Sequence, residues 1–478
     1  MVIPAIPSPA SATPRISYNL NMYIPLTLAI TKTAAGLSRT LGRGGGGALP
    51  GLIADRLDKQ LGRKLAAQIP YGVIIVTGTN GKTTTTKMIA SALEASGERV
   101  LTNRSGSNLR RGVLSSLIDG ADYRGRINAT IALFEVDEAS LRRVAPELQP
   151  RHIVVLNLFR DQLDRYGELD TTAALIGQGI ASTKAKIYLN ADDPLVASLA
   201  KYAAGPEQVN YFGIEGLPAF STGSHQTATD SDRCPVCGNR LKFGRTFYGH
   251  IGHYSCPAGD FDRPNPSVAI TGVERADLTG TQFTVAVDGK RYDGSLPLPG
   301  TYNLYNALAA IALCNGLKLE PLQFLPLLAR TAAAFGRVER VELEGRTLYL
   351  LLVKNPAGFT QVLDTFLLRS AKPHVLMLIN DDHADGRDVS WLWDVPLEAL
   401  QPTGAVVSVG GVRASDMALR LKYAGIESVS RENIQASLSQ FIAGLPVGET
   451  GYILPTYTAM IALRHILASQ TDIQEVKI

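Results

Sequence analysis

The segment from Val73 to Thr84 constrains the fold of this chain more than any other. An apolar strand-like run, Val73 to Thr77, leads directly into Gly78-Thr-Asn-Gly-Lys-Thr-Thr84, and a helix-forming stretch continues from Lys82 to Ala95. A strand, a glycine-containing loop and a helix in this order form a phosphate-binding loop, in which backbone N–H groups and the helix N-terminus surround phosphate oxygens. The pattern therefore predicts a nucleotide-binding α/β fold.

The residues of this loop have predicted roles in holding ATP with Mg²⁺. We expect Lys82 to neutralise the outer phosphates and the Thr83 hydroxyl to bind Mg²⁺. Counted from Gly78, the loop is one residue shorter than the usual pattern. The residues predicted to contact the nucleotide are Gly78, Thr79, Asn80, Gly81, Lys82, Thr83 and Thr84.

Three acidic residues follow the next predicted strand, Thr130 to Phe134. Glu135 comes first, at the carboxyl end of the strand, where a magnesium ligand is expected in such a site. We predict that Glu135 holds the metal and is catalytic together with Lys82. For Asp137 and Glu138, a metal or substrate role and a role as helix-capping or solvated acids both stay open.

Buried-strand runs alternate with helix-length segments along most of the chain. Because continuous apolar strands separated by helices are typical of a parallel sheet, we predict a sheet with helices on both faces. A second alternation after about Glu339 predicts a smaller C-terminal α/β domain. The predicted strands are Val73 to Thr77, Thr130 to Val136, Ile153 to Leu158, Ile187 to Asn190, Leu348 to Val353, His374 to Ile379, Ala405 to Val409 and Tyr452 to Leu454.

A length of 478 residues is too great for one ordinary core, so we expect several domains. Residues 1–50 are predicted to form an N-terminal leader and glycine-rich segment, with disorder in residues 1–21 and a short helix in 23–41. Residues 51–340 form the predicted ATP-binding domain, interrupted at 217–266 by a polar, cysteine-containing insertion. Residues 341–478 form the predicted C-terminal domain. We interpret the run Gly44 to Gly47 as a flexible connector rather than a ligand-wrapping loop.

Composition narrows the class of protein. The formal net charge of +4 is too small to indicate nucleic-acid binding, and no apolar run is long enough for a membrane-spanning helix. The N-terminus lacks a secretory signal, and four cysteines do not make a disulfide framework. We therefore expect a cytoplasmic protein.

Several further segments carry a family resemblance. Together with the phosphate loop and Glu135, they are Asn157 with Asp161-Gln-Leu-Asp164, Leu189-Asn-Ala-Asp-Asp-Pro194, Pro299-Gly-Thr-Tyr-Asn303 with Asn306, and Gly336-Arg337 with Glu339. They resemble, in the same order, motifs of the Mur ligase superfamily over roughly residues 70–460. The resemblance implies substrate and metal contacts near Asn157, adenine contacts near Asn303 and an interdomain hinge at Arg337. It adds Asn303 and Arg337 to the expected nucleotide contacts.

The motifs of this chain differ at some positions from those of the amino-acid-adding Mur ligases, and these differences narrow the choice among members of the superfamily. Gln162 and Lys354 stand where those enzymes have histidines, and only about 70 residues precede the phosphate loop, too few for their UDP-sugar-binding domain. We therefore do not expect a UDP-linked precursor as substrate.

The variant motifs are similar to those of the MurT family. They are Arg160-Asp-Gln-Leu-Asp-Arg-Tyr-Gly-Glu168, Lys354-Asn-Pro-Ala-Gly358, Ala384-Asp-Gly-Arg-Asp-Val-Ser-Trp391 and Leu454-Pro-Thr-Tyr-Thr-Ala-Met460. The resemblance implies ATP-dependent amidation of the α-carboxylate of D-glutamate in the lipid II stem peptide, at the inner membrane surface. It also implies a heterodimer with a GatD-like glutaminase that supplies ammonia.

The chemistry is consistent with such a partner. A carboxylate resists attack by an amine until ATP converts it to an acyl phosphate, and most ammonia is protonated at neutral pH. A glutaminase that delivers NH₃ needs a cysteine nucleophile on a sharp turn. Cys314 lies in a helix-like apolar run and is expected in the core, and the other cysteines belong to the insertion. Glutamine hydrolysis would therefore require a separate subunit.

The loop Asn380 to Asp388 follows the strand-like run His374 to Ile379. The MurT resemblance implies that this domain lends an aspartate to orient the catalytic histidine of the partner. We favour Asp388 and then Asp385 for this catalytic role, against a solvated acidic turn.

The insertion carries a partial zinc-ribbon pattern. Cys234 and Cys237 form a knuckle, and Cys256 follows at ribbon spacing, but a fourth cysteine would fall at Gly259. A structural zinc would then need a fourth ligand, for which the candidates are His253, Asp260 and His250.

Two other functions remain open from the sequence. One is a ligase that adds an amino acid, like a UDP-substrate Mur enzyme or folylpolyglutamate synthase, and the absent histidines disfavour it. The other is a non-catalytic, ATP-switched binding protein, which the intact set of Lys82, Thr83 and Glu135 disfavours.

Overall fold

The structure is a computed structural model that describes residues 24–40, 49–103, 107–161, 168–216, 230–330 and 338–468. It contains two large sheets covered by helices and a separate two-stranded hairpin. The predicted leader, the run Gly44 to Gly47, the segment from Gln162 to Asp164, and Gly336 with Arg337 lie outside the described residues. Within those ranges, no helix combines the length and apolar character of a transmembrane span.

The first sheet has nine strands. Its strands, with the hairpin β7–β8, are β1 Val73–Thr77, β2 Val100–Thr102, β3 Ile131–Glu135, β4 His152–Val155, β5 Lys186–Asn190, β6 Val209–Ile214, β7 Lys242–Tyr248, β8 Ile251–Ser255, β9 Val268–Asp277, β10 Gly280–Val287 and β11 Lys290–Leu296. The order in the sheet is β11-β10-β9-β6-β5-β4-β1-β3-β2. All neighbours from β2 to β9 are parallel, and β10 and β11 extend the sheet in antiparallel pairing.

Helices pack on both faces of this sheet. They are α1 Ile24–Thr40, α2 Leu49–Leu57, α3 Leu61–Ala66, α4 Lys82–Ala95, α5 Arg110–Gly120, α6 Leu141–Leu148, α7 Leu169–Ala181, α8 Pro194–Ser198, α9 Thr301–Gly316 and α10 Pro321–Leu328. Ile74 and Val76 pack into the core with α4, α9 and α10, whereas Val73 and Ile75 pack into the opposite core with the other helices. Because successive strand residues face opposite sides, a continuous apolar run is buried on both.

The second sheet has six strands. They are β12 Glu339–Leu343, β13 Arg346–Leu350, β14 His374–Leu378, β15 Val406–Gly410, β16 Ser428–Ser430 and β17 Thr450–Pro455, in the order β12-β13-β17-β14-β15-β16. Only β12 runs antiparallel to its neighbour. The helices are α11 Pro356–Val362, α12 Ala414–Tyr423, α13 Ile434–Gly444 and α14 Tyr457–Ala468. A core lies on each face of this sheet.

The predicted α/β architecture with a second, smaller α/β unit is confirmed. The predicted strands recur with bounds that differ by a few residues. The antiparallel strands β9 to β11 were not foreseen, and they make the first sheet mixed. The predicted division at residue 340 falls inside β12, so the second sheet begins at Glu339.

Candidate active site

The phosphate loop joins β1 to α4 through two glycines with positive φ. Gly78 has φ +127° and Gly81, which immediately precedes α4, has φ +92°. A side chain is disfavoured in this region of backbone conformation, which explains the two glycines of the motif. The loop therefore has the conformation that the motif predicts.

The segment after β4 holds the loop from one side. Asn157 accepts a hydrogen bond from the Asn80 backbone N–H at 2.9 Å, and its side-chain amide donates to the Asn80 carbonyl at 3.0 Å. The Phe159 backbone N–H donates to Thr79 Oγ1 at 3.0 Å. These bonds fix the conformation of the loop.

Lys82 and Glu138 form a buried ion pair over the loop. Lys82 Nζ donates to the Gly78 carbonyl at 2.6 Å and lies 3.3 Å from Glu138 Oε1. Burial raises the pKa of Glu138, but Lys82, a backbone hydrogen bond and the charge of Lys354 lower it more, so the pKa lies below its ordinary value. The carboxylate thus stays ionised and holds the ammonium group where a phosphate would meet it.

Thr83 and Glu135, the two predicted magnesium ligands, are brought together. Thr83 Oγ1 donates to Glu135 Oε2 at 2.7 Å. The Glu135 backbone is held by Asn103, whose side-chain amide donates to the Glu135 carbonyl at 2.8 Å and accepts from its N–H at 3.0 Å. Asn103 follows the short strand β2 and was missed in the sequence, where nothing distinguishes it.

Asp137 has a local role. Its Oδ1 accepts from the backbone N–H groups of Ala139 and Ser140 at 3.2 and 3.3 Å, just before α6 begins. Of the two acids left open by the sequence, Glu138 therefore faces the phosphate loop, and the Asp137 carboxylate fixes the turn that leads into α6.

Residues of the second sheet's domain reach the loop directly. Lys354 Nζ donates to Asp161 Oδ2 at 2.6 Å. The Asn355 side-chain amide donates to Asn80 Oδ1 at 3.2 Å, while its oxygen caps α11 through Gly358 N–H at 2.8 Å. The motif that lacks the histidine therefore supplies a cation and an amide to the domain interface.

A cavity of about 80 Å³ lies between the loop and α11. Asn306 lines it beside Asn80 and Gly81. Asn303 is buried behind it, where its amide donates to the Pro299 carbonyl at 2.7 Å and its oxygen accepts from Asn306 at 3.2 Å. Asn303 thus positions Asn306, and its direct contact with a nucleotide stays a prediction, as does that of Arg337.

The two candidate aspartates after β14 differ in exposure. Asp385 is buried and accepts hydrogen bonds from the Thr458 N–H, at 2.9 Å, and from the Thr458 hydroxyl. Burial raises its pKa, although these bonds oppose the shift. Asp388 is exposed, and its Oδ1 accepts from Ser390 N–H at 2.8 Å. Asp388 is therefore the one that another protein can reach.

The three cysteines of the insertion form a cluster beside β7 and β8. The sulfur atoms of Cys234, Cys237 and Cys256 lie within 4.8 Å of one another. The Asp260 side chain is among the groups that raise the pKa of the Cys237 thiol, but its carboxylate does not lie within 4.8 Å of all three sulfur atoms, and Gly259 offers no side-chain donor. This is a donor set suited to a structural zinc ion.

The two candidate histidines point elsewhere. His253 Nε2 lies 2.6 Å from the Ile214 carbonyl, and His250 is fully buried with Nε2 3.4 Å from Asp193 Oδ2. His253 thus contacts β6 of the main sheet and His250 lies beside the N-cap residue of α8, so neither is turned toward the sulfur cluster. Of the three predicted fourth ligands, Asp260 is the one whose side chain acts on a cysteine of the cluster.

Asp192 attaches the hairpin to the nucleotide-binding domain. Its carbonyl accepts from Gly252 N–H at 2.8 Å, and its carboxylate contacts Arg263 at 2.5 Å and the Tyr305 hydroxyl at 2.6 Å. The segment Leu189 to Pro194 thereby links the cysteine cluster to α9, the helix that carries Asn303 and Asn306.

Known protein families match both the nucleotide-binding domain and the C-terminal domain of the chain. Residues 76–251 match the Mur ligase middle domain, and residues 352–460 match the MurT ligase C-terminal domain. The lipid II isoglutaminyl synthase (glutamine-hydrolyzing) subunit MurT of Streptococcus pneumoniae is 32% identical over 95% of this chain and 99% of its own length. That of Staphylococcus aureus is 35% identical over 83% and 87%.

Solved structures show the same fold. A pseudomurein peptide ligase type C from Methanothermus fervidus superposes with a TM-score of 0.65 at 22% identity, covering 83% of this chain and 78% of the other. At that level of identity, the likeness concerns the fold alone.

Replacing Gly81 by alanine tests the geometry of the loop. A Cβ there would lie 1.9 Å from Asn306 Oδ1, whereas one at Gly97, which has φ +90° just beyond the other end of α4, would meet nothing within 4 Å. An alanine at positive φ strains the backbone by about 1–2 kcal/mol at either position, so the two variants differ only in the clash with Asn306. We expect Gly81→Ala to weaken binding of ATP with Mg²⁺ in calorimetric titration by about tenfold or more relative to Gly97→Ala. Equal affinities of the two variants would contradict this geometry.

Proposed function

This chain belongs to the MurT family of Mur ligases, and from that premise we propose that it is the ATP-dependent synthetase subunit of a lipid II isoglutaminyl synthase. The reaction converts the α-carboxylate of D-glutamate in the lipid II stem peptide to an amide during peptidoglycan synthesis. The observation that carries the proposal is the match to a relative of that name over 99% of the relative's length. The contacts of Lys82, Thr83 and Glu135 support the ATP-using step.

The chemical step places the loop residues in distinct roles. A carboxylate oxygen of the substrate attacks the γ-phosphorus of ATP, and the bond between the γ-phosphorus and the bridging oxygen breaks. ADP departs as the leaving group, and the substrate becomes an acyl phosphate. Lys82 would exchange part of its contact with Glu138 for the transferred phosphoryl group, whose charge it offsets. Thr83 and Glu135 would hold Mg²⁺, which supplies further charge neutralisation when bound.

Ammonia would then displace phosphate from the acyl phosphate. The chain has four cysteines, and none is placed as a glutaminase nucleophile: Cys314 is buried in α9 and the other three form the sulfur cluster. We therefore propose a separate, GatD-like glutaminase subunit in a heterodimer. The words "subunit" and "glutamine-hydrolyzing" in the relatives' names support this assignment.

Asp388 is the residue that we assign to the partner's active site. Its carboxylate is exposed after the carboxyl end of β14, where one hydrogen bond from Ser390 holds it. Asp385 is committed to Thr458 inside the domain. An exposed carboxylate of this kind can orient a histidine of a bound subunit, as in other nucleophile–histidine–carboxylate sites.

Replacing Asp388 by asparagine tests this assignment. We expect glutamine-dependent amidation by the two-subunit complex to fall by roughly a hundredfold or more, because the partner's histidine loses its orienting carboxylate. Amidation with added ammonium chloride should be retained, because the ATP site is untouched. Both rates are measured from lipid II by mass spectrometry.

Asp382→Asn is the matched control, because Asp382 is an exposed acid of the same loop. It should keep both activities. Normal glutamine use by Asp388→Asn would overturn the assignment, and loss of glutamine use in the Asp382 variant would move the role to Asp382.

We also propose that the sulfur cluster holds a structural zinc ion through Cys234, Cys237, Cys256 and Asp260. Asp260→Ala should weaken zinc binding by at least about tenfold, since loss of even an outer-shell partner has an effect of that size. His253→Ala should leave it unchanged, because His253 is engaged with Ile214. Competition with a colorimetric chelator measures both, and the reverse pattern would make His253 the ligand.

A lipid-linked substrate favours a cytoplasmic protein that associates peripherally with the inner face of the membrane. Leu26 and Ile30, one turn apart on α1, are exposed and are suited to such a contact. This location stays a prediction, which pelleting of the protein with liposomes measures.

A further inference from the structure

A cationic groove, separate from the cavity at the phosphate loop, runs along the nucleotide-binding domain. It has a volume of about 1020 Å³ and lies between the α2–α3 segment on one side and the first turns of α5 and α6 on the other. Neither the motifs nor the proposed chemistry of the ATP site assigns it a role. We infer that this groove, defined here as the basic groove, binds the diphosphate of the lipid-linked substrate.

The charges that line the basic groove are unbalanced. Six cations line it, against the three acids Asp55, Asp137 and Glu147; the cations are Lys59, Arg63, Arg110, Arg111, Arg142 and Arg143. Arg110 is paired with Asp55 at 2.8 Å and with Glu147 at 2.6 Å. In the part of the chain that the structure describes, the other five cations are exposed and make no ion pair. Guanidinium groups that face a groove in this state are well suited to phosphate oxygens.

Two helices start at the basic groove. Arg110 and Arg111 are the first residues of α5, and Arg142 and Arg143 lie in the first turn of α6. The positive end of each helix therefore adds to the charge of its arginines. Asp137 offsets part of this effect at α6, because it accepts from Ser140 N–H.

One end of the basic groove adjoins the reaction centre. Asp137, two residues beyond the metal carboxylate Glu135, lines it, and so does Ser107. The Ser107 carbonyl accepts at 3.2 Å from Asn103, the same side chain that holds the Glu135 backbone. An anion in the groove would thus lie beside the site where the substrate carboxylate is phosphorylated.

The inference rests on the proposed function, whose substrate carries anionic groups in two separate parts of the molecule. Lipid II carries a diphosphate at its sugar and carboxylates on its stem peptide. Five unpaired cations are more than a single carboxylate can pair with or accept hydrogen bonds from. A diphosphate carries more negative charge and more acceptor oxygens than a carboxylate. The diphosphate is therefore the favoured occupant, and the stem-peptide carboxylates are the competing source of the same interaction.

The test compares two substrates in the complex with the glutaminase subunit. One is a lipid II analogue with a short prenyl chain, and the other is the same disaccharide pentapeptide without the prenyl diphosphate. In Arg142→Gln/Arg143→Gln, and separately in Arg63→Gln/Arg111→Gln, we expect the KM of the diphosphate substrate to rise by about tenfold or more. The KM of the diphosphate-free substrate, the KM of ATP and kcat at saturation should not change.

Arg291→Gln is the control, because Arg291 is exposed on β11 at the far edge of the sheet. Thermal unfolding of each variant confirms that it folds. An equal rise of KM for both substrates would assign the groove to the stem-peptide carboxylates, and no rise for either would remove it from substrate binding. Both results overturn the inference.

Direct binding separates this inference from the proposed function. Calorimetric titration of the protein with the short-chain analogue, without ATP, requires no catalysis. If the wild-type complex amidates neither substrate, the proposed function fails, and the calorimetric comparison of wild type with the arginine variants still decides the role of the groove.

Discussion

The site depends on one constraint: the carboxyl ends of three adjacent parallel strands of the first sheet, β3, β1 and β4, lie side by side. The phosphate loop leaves the carboxyl end of β1, and β3 and β4 flank β1 on either side. Glu135 therefore reaches the loop from one side and Asn157 from the other. Parallel strands place their carboxyl ends together, so residues far apart in the chain meet without any special arrangement of loops.

Contacts across the domain boundary complete the site. Lys354 and Asn355 reach the loop segment from the second domain, and they belong to the motif that separates this chain from ligases with a histidine there. The field of Lys354 also contributes to the lowered pKa of Glu138. The interface thus carries positive charge toward the place where phosphate is transferred. On the opposite side, Asp192 links the cysteine hairpin to α9, so that this insertion can brace the helix behind the cavity.

The sequence predicted the elements that are buried on both faces and the loop between them. Val73 to Thr77 and Lys82 to Ala95 match β1 and α4, because a continuous apolar run followed by the glycine motif has few other interpretations. Strands β9 to β11 were missed, because threonine and glycine interrupt their alternation and one face of each is partly exposed. Asn103 was missed for a different reason: a polar residue after a three-residue strand gives no signal until the chain folds. Similarly, spacing could not choose among His253, His250 and Asp260, because only the fold turns the two histidines away from the sulfur cluster.

We propose that Lys82, Thr83 and Glu135 act together when the γ-phosphoryl group of ATP passes to a carboxylate of lipid II. Positional isotope exchange tests it most directly, with ¹⁸O in the bridge between the β- and γ-phosphates and with glutamine and ammonia left out. Reversible formation of the acyl phosphate should move the label to non-bridging positions only when lipid II and Mg²⁺ are present, and Lys82→Ala should abolish the exchange. Exchange that persists in Lys82→Ala would exclude this lysine from phosphoryl transfer, and exchange without lipid II would exclude lipid II as the acceptor.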